Sequence, residues 1–310
     1  MSKRVFITGA AGLVGQNLIP MLKAKSNLTI VAADKHPANT ATLRRLHPEI
    51  EVIECDLSVP GPWQARLAEC DAAIFLHAQI GGLDQREFTA NNITATELCL
   101  SAMKDGETEY LVHISSSVVN SQAVDFYTES KKAQEAIVVK ADIRQVILRP
   151  TLMFGWFDRK HLGWLRRFMD RNPVFPIPGS GRYRRQPLYA GDFSSIISAC
   201  LDQKITGTYN ISGRQTIDYI DMIRAIKRTV SARTRIVTLP YSLFWLMLKT
   251  YALFNSNPPF TTSQLKALAT PDLFEVIDWP DIFGVEETPF VAALDLTFNH
   301  PEYAKISLEF

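Results

Sequence analysis

The sequence contains only four cysteines, and no two of them form a CxxC pair. Disulfide-stapled domains and structural zinc sites depend on closely paired or more numerous cysteines. The sequence therefore predicts neither a disulfide framework nor a metal site. Unpaired thiols also favour a cytoplasmic location, because the cytosol keeps cysteines reduced. The four residues are Cys55, Cys70, Cys99 and Cys200.

Neither sign of charge is in excess, since 33 Lys and Arg residues balance 32 Asp and Glu residues and the formal net charge is +1. Nucleic-acid-binding proteins normally carry a clear basic excess, so that class is not favoured. Of the 310 residues, 46% are hydrophobic and 21% are charged, which is typical of a globular protein rather than a disordered one.

Long hydrophobic runs are also missing. The first residues lack the apolar stretch of a signal peptide. The most apolar segment, Leu239–Phe254, contains Lys249 and is shorter than the roughly 20 residues that a membrane span needs. The sequence therefore predicts no membrane span. We expect this segment to be a helix packed into a core, with a helix lying on a lipid surface as the alternative.

The first half of the chain alternates short apolar runs with helical patterns. This alternation predicts a parallel sheet covered by helices on both faces, a Rossmann-like doubly wound α/β fold. The runs are apolar almost throughout, as expected of strands buried on both sides. The predicted strands are Val5–Thr8, Thr29–Ala33, Glu51–Cys55, Ala72–His77, Tyr110–Ser115, Arg144–Arg149 and, later in the chain, Thr208–Ile211.

After Arg149 the alternation stops, and aromatic, proline and basic residues crowd the next forty positions or so. We therefore predict two domains. Residues 1–165, together with 190–212, are expected to form a nucleotide-binding domain, and residues 166–310 a smaller α/β substrate-binding domain. Further helices are predicted at Asp192–Leu201, Asp218–Ser231 and Thr262–Ala269.

A glycine-rich loop joins the first predicted strand to the first predicted helix. Gly9, Gly12 and Gly15 have the TGxxGxxG spacing, which allows a tight turn, a close approach of the backbone to a pyrophosphate, and close packing of the helix on the strand. The helix N terminus offers N–H groups to the phosphates. We therefore expect the loop to bind a dinucleotide through these glycines and through Ala11, Leu13 and Val14.

Acidic residues follow the second and third predicted strands. A carboxylate at Asp34 can bind the ribose hydroxyls of NAD and would repel the 2′-phosphate of NADP. Lys35 and His36 come next and could tolerate that phosphate, so NADP stays open as the alternative cofactor. Asp56 and Leu57 are suited to contact the adenine ring.

Tyr127 and Lys131 stand at positions i and i+4, on one face of a predicted helix. A nearby ammonium group favours the phenolate, so the pair predicts a tyrosine with a lowered pKa that can transfer a proton. Ser115, Ser116 and Ser117 end the preceding strand, where a hydroxyl could bind the same substrate oxygen. Their position matters because open α/β folds bind ligands at the carboxyl edge of the sheet.

These motifs occur in an order that resembles the extended short-chain dehydrogenase/reductases, in particular the NAD-dependent epimerase/dehydratase group that acts on nucleotide sugars. The resemblance covers about the first 215 residues. It implies that Tyr127 is the general acid/base, that Lys131 binds the cofactor and tunes Tyr127, and that Ser116 aligns the substrate, with Ser115 and Ser117 left open. The motifs are the TGxxGxxG loop, Asp34, Asp56-Leu57, the serine run, YxxxK and Arg149-Pro150-Thr151.

The resemblance also narrows the reaction. Related sugar dehydratases carry Thr-Asp-Glu where this chain has Ser116-Ser117-Val118, and related decarboxylases carry a Glu in place of Val118. Dehydration and decarboxylation are therefore disfavoured, and epimerisation or simple oxidation and reduction of a hydroxyl or keto group remains.

Substrate contacts are expected at Ser117 and at Arg185, whose guanidinium would bind the diphosphate of a nucleotide sugar. His77 replaces a small residue of the family close to the expected cofactor, and either contacts it or is a packed histidine. Leu152 replaces an Asn that often contacts the diphosphate. Asn92 is expected to support the backbone of the site or the cofactor.

Two alternatives stay open. The first is a dehydrogenase of a steroid-like or other hydrophobic alcohol. It would suit the apolar segment Leu239–Phe254 and the weak sequence evidence for a diphosphate-binding site. A non-catalytic NAD(P)-binding subunit is the second, although the intact Ser116, Tyr127 and Lys131 argue against it. A homodimer is an expectation by analogy with related enzymes.

Overall fold

The computed structural model describes residues 3–254, 265, 268 and 273–309. A seven-stranded sheet forms its centre, and all seven strands are parallel. These strands are β1 (Lys3–Thr8), β2 (Leu28–Asp34), β3 (Glu51–Glu54), β4 (Ala72–Phe75), β5 (Tyr110–Ile114), β6 (Arg144–Pro150) and, after four short strands, β11 (Gly207–Ile211). Each of the seven predicted strands is confirmed, and so is the Rossmann-like α/β fold.

The short strands all follow β6 and pair outside the central sheet. They are β7 (Met153–Phe154), β8 (Val174–Pro178), β9 (Arg184–Arg185), β10 (Leu188–Tyr189), β12 (Ile217–Asp218) and β13 (Arg235–Leu239). They form three pairs: β10 with β7, β12 with β9, and β13 with β8. None of these pairs was predicted. Four of the six strands have only two residues and leave no periodic pattern, and β8 contains Pro176 and Pro178, which do not suggest a strand.

Helices lie between the strands of the central sheet and dominate the C-terminal part. They are α1 (Leu13–Lys23), α2 (Pro37–Leu46), α3 (Trp63–Ala68), α4 (Gln85–Phe88), a π-helical segment (Thr89–Thr94), α5 (Ala95–Lys104), a 3₁₀ turn (Ser117–Asn120), α6 (Phe126–Lys140), α7 (Leu162–Arg171), α8 (Ala190–Gln203), α9 (Tyr219–Thr229), α10 (Tyr241–Phe254), α11 (Trp279–Phe283), α12 (Phe290–Phe298) and a final 3₁₀ turn (Tyr303–Lys305).

Two hydrophobic cores cover the two faces of the sheet. On one face, α1 and α8 pack on the strands, joined by Trp279 and Phe283 from the C-terminal part. On the other face, α3 and α5 pack around Phe6, Trp63 and Leu111. Because both faces are covered, the inner strands β1, β2, β4 and β5 are mostly buried, as the sequence predicted, whereas the edge strands β3 and β11 are partly exposed.

A third core lies in the C-terminal part and is built from α7, β8, α9 and α12. Phe154, Ile223 and Leu294 are among its buried residues. This core is distinct from the two that flank the sheet. The division into domains near residue 165 stays a prediction.

The apolar helix α10 corrects one prediction. It was expected to pack into a core, but Leu243, Leu246 and Met247 are 44%, 55% and 52% exposed. Across the parts of the chain that the structure describes, no helix has the length and hydropathy of a membrane span. The helix predicted at Thr262–Ala269 falls mostly outside the described residues.

Candidate active site

The carboxyl ends of β1, β4 and β5 meet at one edge of the sheet. The strand order in the sheet is β11-β6-β5-β4-β1-β2-β3, so successive strands are added on opposite sides of the boundary between β1 and β4, which is the topological switch point of the sheet. Thr8 on β1 pairs with Phe75 on β4, which pairs in turn with His113 on β5. The loops that follow these strands therefore surround one crevice. Open α/β sheets bind ligands at such a reversal.

The glycine loop fits tightly between β1, β4 and α1. Gly9 has a φ of +62°, and a Cβ there would lie 2.7 Å from the backbone nitrogen of His77. A Cβ at Gly15 would lie 2.2 Å from the carbonyl oxygen of Ala10. Both distances are far below van der Waals contact, so only glycine allows the loop to pass under β4 and the helix to pack on the loop.

The first turn of α1 provides the phosphate-binding feature. Gly12 caps the helix without a side-chain hydrogen bond, and the first turn contains no acidic residue. A Cβ at Gly12 would meet only the Gly9 carbonyl within 4 Å, at 3.3 Å, so this side of the loop is open. Leu13 and Val14 supply the first helical N–H groups, which suit a pyrophosphate. These donors fit a dinucleotide.

Asp34 ends β2 beside this loop. Its carboxylate accepts hydrogen bonds from the backbone nitrogens of Ala11, at 2.9 Å, and His36, at 3.0 Å. Burial raises the pKa of Asp34, and these two N–H groups oppose the increase. Each carboxylate oxygen has a further lone pair for a ribose hydroxyl. Lys35, the cationic residue next to Asp34 in the sequence, donates a hydrogen bond to the side chain of Asn91 at 2.7 Å.

Asp56 and Leu57 follow β3 with different surroundings. The carboxylate of Asp56 accepts hydrogen bonds from the nitrogen of Ser58, at 2.9 Å, and from its hydroxyl, at 2.6 Å. Leu57 is buried in the core on that face of the sheet. Asp56 therefore stabilises the turn after β3. The contact of both residues with adenine stays a prediction.

The structure separates the three serines that follow β5. Ser115 donates a hydrogen bond to the buried carboxylate of Glu135 at 2.5 Å. Ser116 lies at the start of the 3₁₀ turn, where its hydroxyl accepts from the nitrogen of Val118 at 3.4 Å. This turn packs against α6, and the Ser116 hydroxyl interacts there with Tyr127. Ser117 is the partly buried first residue of that turn. Ser116 is therefore the serine that the fold brings to Tyr127.

Tyr127 lies in the first turn of α6, where the side chain of Asp125 caps the helix by accepting from the nitrogen of Thr128 at 2.9 Å. Burial raises the pKa of Tyr127, and the nearby Ser116 hydroxyl partly offsets this increase. The predicted lowering of this pKa is therefore wrong for the arrangement in the structure. The phenol is protonated at neutral pH and can donate its proton.

The position of Lys131 explains why the pKa of Tyr127 is not lowered. Its side chain is 1% exposed, and Nζ donates to the carbonyl of Ile114 at 3.0 Å and to the side-chain oxygen of Gln134. Burial lowers the pKa of Lys131 to about 7, opposed by the charge of Glu135. Tyr127 and Lys131 share a helix face, as predicted, but the ammonium donates its hydrogen bonds to Ile114 and Gln134.

His77 lies at the end of β4 and is a buried, hydrogen-bonded residue. Its Nδ1 is 2.7 Å from the hydroxyl of Thr8, and its Nε2 is 2.9 Å from the hydroxyl of Thr96. Burial and the nearby Lys131 lower the pKa of His77 to about 3. The ring is therefore neutral, and these contacts favour the packed histidine over the predicted cofactor contact. Gln134 joins this network by donating to Thr96 at 2.9 Å.

Asn92 holds the loop after β4. Its side chain accepts from the backbone nitrogen of Gln79 at 2.6 Å and donates to the carbonyl of the same residue at 3.1 Å. It also donates to the hydroxyl of Ser130 on α6 at 2.8 Å. Asn92 thus joins the loop that borders the crevice to the helix of Tyr127, which is the supporting position that the sequence suggested.

Residues on α6 beyond YxxxK were missed. Both carboxylate oxygens of Glu135 accept hydrogen bonds from the guanidinium of Arg149. The same carboxylate accepts a hydrogen bond from the hydroxyl of Ser115. Gln134 bonds Lys131. Both follow Lys131 at i+3 and i+4, on the same helix face, so their spacing could have identified them.

Arg185, predicted to bind a diphosphate, has backbone partners. Its guanidinium donates to the carbonyl of Arg184 at 2.8 Å and to the carbonyl of Leu268. The adjacent Arg182 pairs with Asp218 at 2.8 Å and Asp221 at 3.2 Å. Leu152 is 41% exposed, so an apolar side chain occupies the surface where the related enzymes often have Asn.

Comparison with known proteins gives a consistent result. Residues 5–212 match the model of the NAD dependent epimerase/dehydratase family. A ceramide reductase from Caulobacter vibrioides is 26% identical over 247 residues, which span 76% of this chain and 73% of the relative. A UDP-glucose 4-epimerase from Vibrio cholerae is 21% identical over 275 residues, 79% of this chain and 82% of the relative.

Solved structures share the fold over almost the whole chain. A UDP-glucuronic acid 4-epimerase from Bacillus cereus, in complex with NAD, superposes with a TM-score of 0.72 at 20% identity, covering 96% of this chain and 95% of the other. A UDP-N-acetylglucosamine 4-epimerase from Methanobrevibacter ruminantium gives a TM-score of 0.74 at 16% identity, covering 96% and 97%. At such identities the likeness establishes the fold.

Proposed function

The chain belongs to the NAD-dependent epimerase/dehydratase family, and on that premise we propose that it interconverts a secondary hydroxyl and a ketone on a nucleotide sugar. Ser116, Tyr127 and Lys131 are its catalytic residues. The observation that carries the proposal is the packing of the 3₁₀ turn after Ser116 against α6 at the carboxyl edge of the sheet, which brings the Ser116 hydroxyl to the half-buried Tyr127.

NAD is the cofactor in this proposal. The first turn of α1 after Gly12 binds its pyrophosphate, and Asp34 binds the adenosine ribose. When bound, NAD supplies a hydride acceptor, and in its reduced form a hydride donor, for the carbon that carries the substrate oxygen. The engagement of Lys35 with Asn91 supports NAD over NADP, since this cation is not held towards a 2′-phosphate.

Tyr127 moves the proton at the substrate oxygen. Its raised pKa keeps the phenol protonated at neutral pH, which is the state that donates to a ketone oxygen. Ser116 donates a second hydrogen bond to the same oxygen as negative charge develops there. Lys131 has a pKa of about 7, so it is partly charged near neutrality, and a phenolate at Tyr127 would draw it fully into the charged form.

Epimerisation or simple oxidation and reduction follows from what the site contains. No carboxylate stands at positions 116–118, so the extra acid and base that dehydration needs are missing from this turn. The epimerases among the relatives and the solved structures support a nucleotide sugar as substrate.

A second candidate is a reductase or dehydrogenase of a hydrophobic, lipid-like alcohol or ketone. It is favoured by the backbone contacts of Arg185, by the exposed Leu152 and by the similarity to a ceramide reductase. In this reading the same three residues catalyse the same step, and only the substrate class differs.

The test measures NAD-linked turnover with a panel of UDP-, GDP- and dTDP-sugars and with long-chain keto and hydroxy lipids. Tyr127→Phe should lower turnover by about 10²- to 10⁴-fold while the affinity for NAD is kept. Tyr209→Phe is the matched control, because that hydroxyl bonds only the carbonyl of Thr206 among the described contacts.

Turnover of lipids alone would select the second candidate. A Tyr127→Phe variant that keeps full turnover would contradict the mechanism for both. Tight NAD binding with no turnover of any substrate in the panel would favour a non-catalytic subunit.

A further inference from the structure

Helix α10 presents an apolar stripe to solvent. Leu243, Leu246 and Met247 follow each other at i, i+3 and i+4, which places them on one face of the helix, and about half of each side chain is exposed. Phe244 and Leu248 are only partly exposed and mark the side towards the protein. An exposed apolar stripe of this kind is normally covered by protein or lipid. The stripe therefore needs an occupant.

The surrounding charge identifies the chemistry of that occupant. Between Met222 and Phe254 the chain has six Lys and Arg residues and no Asp or Glu, although the whole protein is almost neutral. Arg228, Arg233 and Arg235 are exposed before the helix, and Lys249 is exposed within it. In the part of the chain that the structure describes, none of these four forms an ion pair with a carboxylate.

The side chains on the helix are those found at a lipid interface. The ammonium of Lys249 lies 4.7 Å from the centre of the Trp245 ring, one turn away. Aromatic rings and long basic side chains of this kind sit at the level of the headgroups, with apolar neighbours in the acyl region. The strand before the helix also carries exposed basic and apolar side chains, since Arg235 and Val237 lie on one face of β13 and the exposed Val174 pairs with Arg235.

We propose that α10 is a docking surface for an anionic lipid bilayer, and that the helix lies flat in the headgroup region. Fourteen residues of helix extend about 21 Å, which is too short to cross a hydrocarbon core of about 30 Å. The stripe Leu243, Leu246 and Met247 enters the acyl boundary, while Arg233, Arg235 and Lys249 bind the headgroups.

A second copy of the chain fits this surface less well. Pairing α10 with its equivalent in another copy would bring the same uncompensated basic residues together, and like charges repel at an interface. An anionic bilayer satisfies the apolar stripe and the basic residues at once. The proposal does not depend on which substrate the active site takes. If the substrate is a lipid, the docked helix would also hold the enzyme at the membrane that contains this substrate.

The first experiment is sedimentation of the full-length protein with vesicles. Phosphatidylcholine vesicles with and without phosphatidylglycerol are compared, at low and at high salt. We expect binding to the anionic vesicles, weakened by salt because the attraction is partly electrostatic. Absence of binding to anionic vesicles, or equal binding to both kinds, would overturn the proposal.

Two sets of variants locate the surface. The triple variant Leu243→Gln, Leu246→Gln and Met247→Gln should lose at least tenfold in vesicle affinity. The matched control replaces three other exposed apolar residues, Val59, Val139 and Val291, by Gln and should bind as the parent does. Circular dichroism and thermal unfolding check that both variants fold. If the control loses as much affinity as the α10 variant, the assignment to α10 is wrong.

The double variant Arg235→Gln and Lys249→Gln tests the charge. Each basic residue near an anionic surface contributes about fivefold to binding, so the pair should cost about 25-fold. The oligomeric mass is measured in parallel by light scattering. A parent dimer that the triple Gln variant dissociates, with vesicle binding unchanged, would show that a second copy covers the stripe and would overturn the lipid proposal. Turnover of a soluble substrate should stay at the parent value in every variant, so failure here is separate from failure of the proposed function.

Discussion

Replacing Lys131 by Met should make the NAD-free protein more stable at neutral pH, although it removes a catalytic group. The pKa of Lys131 falls from an ordinary value of 10.5 to about 7 because the ammonium is buried. Each pKa unit is worth about 1.4 kcal/mol, so charging this lysine costs the folded state about 5 kcal/mol below pH 7. Lys131→Met also removes the donor to Ile114 and Gln134, and a buried acceptor left without a partner offsets about 1–3 kcal/mol of this gain.

The pH dependence separates this effect from ordinary repacking. Between the two pKa values the unfolded chain holds the proton that the folded chain has released, so the free energy of unfolding of the parent rises with pH in that window. From about pH 7 to about pH 9 the parent should gain about 2 kcal/mol relative to Lys131→Met, which has no such proton. The stability advantage of the variant should shrink by that amount.

Urea unfolding followed by tryptophan fluorescence, with NAD removed, measures both proteins at the two pH values. Lys132→Met is the matched control, since Lys132 is the next residue but lies at the surface and pairs with Glu129 at 3.1 Å. The control should differ from the parent by less than about 1 kcal/mol at either pH. A difference between Lys131→Met and the parent that does not change with pH would show that the buried ammonium of Lys131 does not cause it.

Gly15→Ala should lower the free energy of unfolding by about 1–3 kcal/mol, because its Cβ would meet the Ala10 carbonyl at 2.2 Å. Gly12→Ala should change stability little but weaken NAD binding. Urea unfolding measures the first effect and NAD titration the second. Equal effects of the two variants on both measurements would contradict this. Glu135→Ala should cost about 3–5 kcal/mol by leaving Arg149 without its carboxylate, whereas Glu129→Ala at the surface should cost less than about 1 kcal/mol in the same assay. Asp34→Ala should weaken NAD binding at least tenfold in calorimetric titration, and unchanged affinity would show that Asp34 serves only to hold Ala11 and His36.

The sheet could be predicted because its strands carry a strong local signal. Val5, Phe6 and Ile7 are apolar and buried, and the same holds for Ala73–Phe75 of β4 and for most of β5. The glycine loop could be placed for the same reason, since its position between a strand and a helix is visible in the sequence.

The arrangement behind Tyr127 could not be predicted. The spacing of Tyr127 and Lys131 fixes a common helix face, but not the direction of a flexible lysine. The direction of the lysine side chain is set by the carbonyl of Ile114 on β5 and by Gln134 in the next turn of α6. The exposure of α10 was missed for a related reason, because composition indicates that a helix is apolar but not what covers it.

The pairing of β6 with β11 has a consequence for synthesis of the chain on the ribosome. β6 ends at Pro150, but its outer neighbour β11 begins only at Gly207, after β7–β10, α7 and α8. Until those residues emerge, an apolar strand presents unpaired backbone groups along a full edge, the kind of surface that pairs with other chains. The nascent protein is therefore exposed to aggregation in this interval, and a chaperone that shields the edge of β6 would act on it there.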